Sequence, residues 1–97
     1  MIDDIILTGI DKEIIDEMID KLGYDTVLNM ACNHELVKNN IDFLKSIGLN
    51  NINSLLLNRD NIFFMDTNYL KDKFQKYDIP SLVSLLNKDY SVIDELI

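Results

Sequence analysis

Phe43-Leu44-Lys45-Ser46-Ile47-Gly48-Leu49-Asn50-Asn51-Ile52-Asn53-Ser54-Leu55-Leu56 has a counterpart 30 residues on, without a gap, in Lys73-Phe74-Gln75-Lys76-Tyr77-Asp78-Ile79-Pro80-Ser81-Leu82-Val83-Ser84-Leu85-Leu86. Each copy holds the end of one apolar-periodic segment, a turn residue, and the start of another such segment. Each then meets a polar break, Asn58-Arg59-Asp60 or Asn87-Lys88-Asp89, and a further apolar cluster. Apolar spacing of this kind describes helices, and a helix-turn-helix unit in tandem buries its apolar side against its neighbour. The expected fold is therefore all-α: a small stack of helix-turn-helix repeats, or a compact bundle of about six to eight short helices.

Working outward, the same grammar extends to the N-terminal half. Met1 to Gly9 reads as an apolar lead-in, with a short helix ending at the glycine. Asp11 is an expected N-cap, with Ile10 as a hydrophobic staple. Ile14, Ile15, Met18, Ile19 and Leu22 follow helical spacing, and Gly23 closes that helix with a left-handed cap. A short helix from Asp25 or Thr26 ends at Asn33-His34-Glu35. A longer one runs from about Glu35 to Ile47, with Leu36, Val37, Ile41, Leu44 and Ile47 inward. The next, about Asn51 to Leu57, carries Ile52, Leu55 and Leu56. Ile62-Phe63-Phe64-Met65 reads as one tight turn. Asp66 or Thr67 caps a helix reaching about Tyr77, with Leu70, Phe74 and Tyr77 on one face. Pro80 suits the first turn of a helix that buries Leu82, Val83, Leu85 and Leu86. Ser91 caps a last turn. The 97 residues make one domain, spanning 1–97, and no Pro- or Gly-rich linker divides it.

The net charge is −8, and it is uneven. Residues 1–25 hold eight carboxylates against Lys12 and Lys21, leaving −6 there and −2 in the remainder. Asp16, Glu17 and Asp20 lie opposite the apolar stripe of their helix and are the candidate contacts for a basic protein partner. A single cysteine, Cys32, excludes an internal disulfide and points to a reduced, cytoplasmic setting. Asp3 and Asp4 stand where a secretion signal needs basic residues, and no apolar run approaches a membrane span. The single alanine and the wealth of Ile, Asn and Lys read as codon bias from an AT-rich genome.

From Phe43 onward the chain resembles a known family. Phe43-Leu44-Lys45-Ser46-Ile47-Gly48-Leu49, then Leu55-Leu56-Leu57-Asn58 and Ile62-Phe63-Phe64-Met65, is similar to a repeat of the mitochondrial transcription termination factor (mTERF) type. The proline those repeats carry after the short helix is absent at Asn58 and Asn87, and each turn-to-helix link is shorter. The resemblance implies a curved stack of helix pairs whose basic concave face lies on nucleic acid. Its implied contacts here are Arg59 and Lys88, which share a row with His34 in the polar breaks, and Lys73 and Lys76, which flank Tyr69, Phe74 and Tyr77. The overall charge of −8 opposes that use.

No catalytic pattern emerges. Cys32 and His34 are two apart, and residues two apart on a helix do not face each other. The expectation is a buried thiol and a surface imidazole. Zinc needs more clustered ligands than this pair offers. Asp60 and Asp66 lack the glycine and closing glutamate of a calcium loop, and three scattered glycines make no phosphate loop. No cofactor or metal is expected. The expected function is a non-enzymatic, intracellular protein-interaction module. The alternatives are an mTERF-like nucleic-acid binder and an acidic mimic of nucleic acid that blocks a DNA-binding protein. A homodimer through the apolar end at Leu96 and Ile97 is a further expectation.

Overall fold

Short apolar-periodic segments punctuated by glycine, asparagine and aspartate give helices joined by very short turns. The computed structural model describes residues 2–97. It contains α1 (Lys12–Leu22), α2 (Tyr24–Cys32), α3 (His34–Ser46), α4 (Ile52–Asn58), α5 (Thr67–Gln75) and α6 (Ile79–Lys88). Three 3-10 helices, Ile2–Thr8, Asp60–Phe64 and Tyr90–Glu95, complete the set, and no strand occurs among the described residues. The all-α bundle expected from periodicity is the fold observed.

Two glycines explain the turns. Gly23 ends α1 and begins α2 at once, with its N–H donating to the Ile19 carbonyl at 3.0 Å. Its φ of 94° is positive as expected, but its ψ of 155° lies outside the left-handed helical well, in a region essentially reserved for glycine. That geometry starts α2 immediately, at Tyr24 and not at Asp25 or Thr26. Gly48 follows α3 with φ 101°, and the Leu49 N–H returns to the Leu44 carbonyl at 3.1 Å. Leu49 is buried beneath the turn, as the Schellman arrangement requires.

Aspartates start the later elements. Asp66 accepts from the Tyr69 N–H at 3.1 Å, and Asp78 from the Ser81 N–H at 3.2 Å, with Pro80 in that first turn. Asp11 precedes α1 as expected, but its side chain makes no capping bond. Asp89, rather than Ser91, caps the last 3-10 helix and accepts from both the N–H and hydroxyl of Ser91. The Asp89 carboxyl is held below its ordinary range chiefly by the Ser91 hydroxyl, then by the Ser91 N–H.

α3 is the spine. It packs against the Ile2–Thr8 helix, the Asp60–Phe64 helix and α5, while α1 lies against α2 and α4. The molecule measures 38 × 24 × 19 Å. Val37, Leu44, Leu55, Phe63, Leu70 and Phe74 are fully buried. Phe43 meets Phe74 edge to face, centroids 5.6 Å apart. Ile62 and Phe63 are buried in the 3-10 helix that follows α4, which matches the tight turn expected there.

Three core assignments are corrected. α5 ends at Gln75, so Tyr77 falls in the following turn and is exposed. Leu85 points outward from α6 and is 54% exposed, because no element among the described residues lies over that side. Cys32 is exposed and His34 half-buried, the reverse of the expectation, because Cys32 falls on the side of α2 away from the buried Val27, Met30 and Ala31.

Candidate functional site

Ile15 and Met18 point α1 into the core, which leaves the opposite side in solvent. Glu13, Asp16, Glu17 and Asp20 occupy it, spaced three and four residues apart in a single stripe. Among the described residues these four carboxylates have no ion pair or hydrogen bond. Like charges at that spacing oppose the helix by about 0.2–0.5 kcal/mol per pair. Asp20 also sits near the C-terminal end of the helix dipole, where negative charge is disfavoured. Lys21, one turn beyond Glu17, donates instead to Asn58 Oδ1 on α4, and Lys12, exposed one turn before Asp16, makes no ion pair among the described residues. Tyr24, exposed at the start of α2, follows Asp20 by four residues. The result is an anionic ridge along the exposed side of α1.

The basic candidates are placed differently. Arg59 donates from Nε to Asp94 Oδ1 and from Nη2 to Asp94 Oδ2, both at 2.8 Å, and from Nη1 to the Asn58 carbonyl. Its guanidinium also lies 5.4 Å from the centroid of the Tyr90 ring. The Arg59 bond holds the Asp94 carboxyl below its ordinary range, and Asp94 in turn pushes the guanidinium up. Arg59 is thus committed to joining the end of α4 to the last 3-10 helix. Lys73 lies 5.1 Å from the Tyr69 ring centroid and Lys71 5.8 Å from that of Phe43. Lys76 and Lys88 are exposed.

Three clefts bear on the candidates, one of them, of about 440 Å³, lined by Cys32, Asn33, His34, Glu35 and Leu36. Another, of about 620 Å³, lies between α3 and the start of α5, lined by Phe43, Asp42, Ser46, Thr67 and Lys71 among others. A smaller one, about 320 Å³, has Ile10, Ile41, Leu49 and Leu56 as its floor and Asp11, Lys45 and Asn53 at its rim. No hydrogen bond joins Cys32 to His34, and no group of three or more His, Cys, Asp or Glu suited to a metal occurs among the described residues.

Three asparagines make long-range bonds that the sequence pattern does not announce. Asn40 is fully buried and donates through Nδ2 to the Phe63 and Met65 carbonyls, at 2.9 and 2.8 Å. Its Oδ1 accepts from the Thr67 hydroxyl at 2.7 Å. Asn51 donates to the Leu86 carbonyl, and Asn87 bridges the Asn50 N–H and the Gly48 carbonyl. The available signal was an asparagine on the apolar stripe Val37–Ile41–Leu44, where an aliphatic side chain belongs by spacing. Compared with protein-family models, curated proteins and solved structures, the chain matches none. No helix among the described residues is long and apolar enough to cross a membrane.

Proposed function

We propose that this protein is a non-enzymatic interaction module that works inside the cell and engages a basic protein partner through the ridge Asp16, Glu17 and Asp20, extended by Glu13. The observation that carries the reading is the stripe itself. Four exposed carboxylates share one helix face and none is ion-paired among the described residues: Lys12 makes no bridge to Asp16, and Lys21 is drawn from Glu17 to Asn58. An exposed, unpaired Cys32 favours a reducing compartment.

Reversing Asp16, Glu17 and Asp20 to lysine is expected to weaken binding of a lysine–leucine amphipathic helical peptide and to leave melting nearly unchanged. The control reverses Glu35, Asp72 and Glu95, which carries the same change of net charge at other exposed sites. Equal loss in both variants refutes a defined ridge and leaves only bulk charge.

The tandem, mTERF-like reading rests on the order of elements. α4 with Asp60–Phe64 and α6 with Tyr90–Glu95 follow one another at the 30-residue offset. Its nucleic-acid function is the weaker reading, because Arg59 is already occupied by Asp94. A titration of labelled DNA or RNA at low salt decides it: salt-sensitive binding lost on Lys76→Glu and Lys88→Glu favours the nucleic-acid reading over the ridge.

A further inference from the structure

The 30-residue offset sets α4 against α6, and the two helices differ in what covers one side. Ser54, Leu55 and Asn58 of α4 correspond to Ser84, Leu85 and Lys88 of α6. The inward sides match at Ile52 and Leu56, which are buried like Leu82 and Leu86, although Val83 is buried where its counterpart Asn53 is exposed. The other sides do not. Leu55 is fully buried, and Ser54 and Asn58 are half-buried. Ser84, Leu85 and Lys88 are all exposed. α1 accounts for the difference, since it packs against α4 and its Lys21 bonds to Asn58.

We propose that this side of α6 seats an amphipathic helix of a partner protein, laid on α6 as α1 lies on α4, with apolar residues over Leu85 and a carboxylate reaching Lys88. The charge is the specifying feature. Lys88 stands where α4 has Asn58, and makes no ion pair or hydrogen bond among the described residues. Of the acids that follow it, Asp94 is paired with Arg59, Asp89 accepts from the neutral Ser91 and Glu95 makes no bond among the described residues, so none is paired with Lys88. The occupant therefore carries an acid at the place where α1 carries Lys21. A second copy of this chain fits poorly: its α1 has Ile15 and Met18 buried in its own core, and its Lys21 would oppose Lys88. Ser81 and Ser84 beside Leu85 have short side chains, which permits close approach of a helix backbone. The inference rests on the tandem reading of the two units and not on the acidic ridge of α1.

The probe is a synthetic peptide of residues 11–23 with Lys21→Glu, and with Glu17→Lys joined to Glu13 by a lactam to hold it helical. Titrated into the ¹⁵N-labelled protein, it should shift the amides of Ser84, Leu85 and Lys88 saturably. Leu85→Ser should weaken it by about tenfold, the loss of one buried leucine contact. Lys88→Glu should weaken it by about threefold and reverse the preference toward the peptide that keeps Lys21. Neutralising Asp16, Glu17 and Asp20 on the protein should leave the affinity unchanged, which separates this face from the ridge. Shifts that map elsewhere, no saturation at millimolar peptide, or a concentration-dependent dimer lost on Leu85→Ser would each overturn the proposal. Superposition of residues 43–64 on 73–94 judges the tandem reading independently of the peptide.

Discussion

Replacing Asn40 by leucine tests the least expected feature of the interior. The substitution keeps roughly the same volume and suits the apolar stripe of α3, so packing alone predicts little harm. The hydrogen bonds predict otherwise. Asn40 Nδ2 serves two carbonyls, Phe63 at 2.9 Å and Met65 at 2.8 Å, and Oδ1 receives the Thr67 hydroxyl at 2.7 Å. The Phe63 bond is buried, and an orphaned buried acceptor costs about 1–3 kcal/mol. The other two are partly buried, and each contributes about 0.5–1 kcal/mol once water can substitute. The expected loss is about 3 kcal/mol, or about 15 °C in melting temperature for a domain of this size. Urea unfolding followed by far-UV circular dichroism measures it, with Asn39→Leu as the exposed neighbouring control. A loss below about 1 kcal/mol would refute the reasoning, because the three bonds would then contribute no more than one ordinary contact. Asn40→Asp adds a sign. A buried carboxylate beside two carbonyls has a raised folded pKa, so that variant should lose stability as pH rises above about 4.

Other outcomes follow from the same structure. Leu55→Ala should cost about 3 kcal/mol, since Leu55 is fully buried, whereas Leu85→Ala, at the matching position of α6, should cost less than about 0.5 kcal/mol; chemical denaturation of both checks the contrast. Gly23→Ala should cost about 2 kcal/mol in the same assay, entirely through the backbone, because a Cβ there meets no heavy atom within 4 Å while φ is 94°. Asp94 and Asp89 have folded pKa values held below the unfolded value, so their contributions are present above about pH 4 and vanish as pH falls through the depressed folded values. The stability gap between the native chain and Asp94→Asn should accordingly be widest near neutral pH and close in acid, as read by melting across a pH series.

Much of the fold was legible in the residues because helices announce themselves locally. The apolar spacing of Ile15 and Met18, of Val37, Ile41 and Leu44, and of Leu82 and Leu86 marked inward faces that are indeed buried. Asp66 and Pro80 marked helix starts, Asp66 through a bond made within a single turn, whereas the capping bond of Asp78 was not anticipated. The errors share a cause. Tyr77 and Leu85 continue the apolar pattern, yet burial depends on whether another element arrives, and none does. Cys32 was judged by its residue type, while its exposure depends on its place on α2, opposite the side that Val27, Met30 and Ala31 bury. Arg59 read as a free cation, because the pattern of its own segment carries no sign of Asp94, 35 residues away.

Sequence by itself determined the class of structure: short helices, their turns, the side each presents inward, and the concentration of negative charge on α1. Those properties depend on neighbours within one or two helical turns. Tertiary structure alone decided which outward faces are covered, which cation is already paired, and which asparagine stitches α3 to the chain beyond α4. These depend on contacts between residues far apart in the chain, and such pairings exist only once the helices have docked.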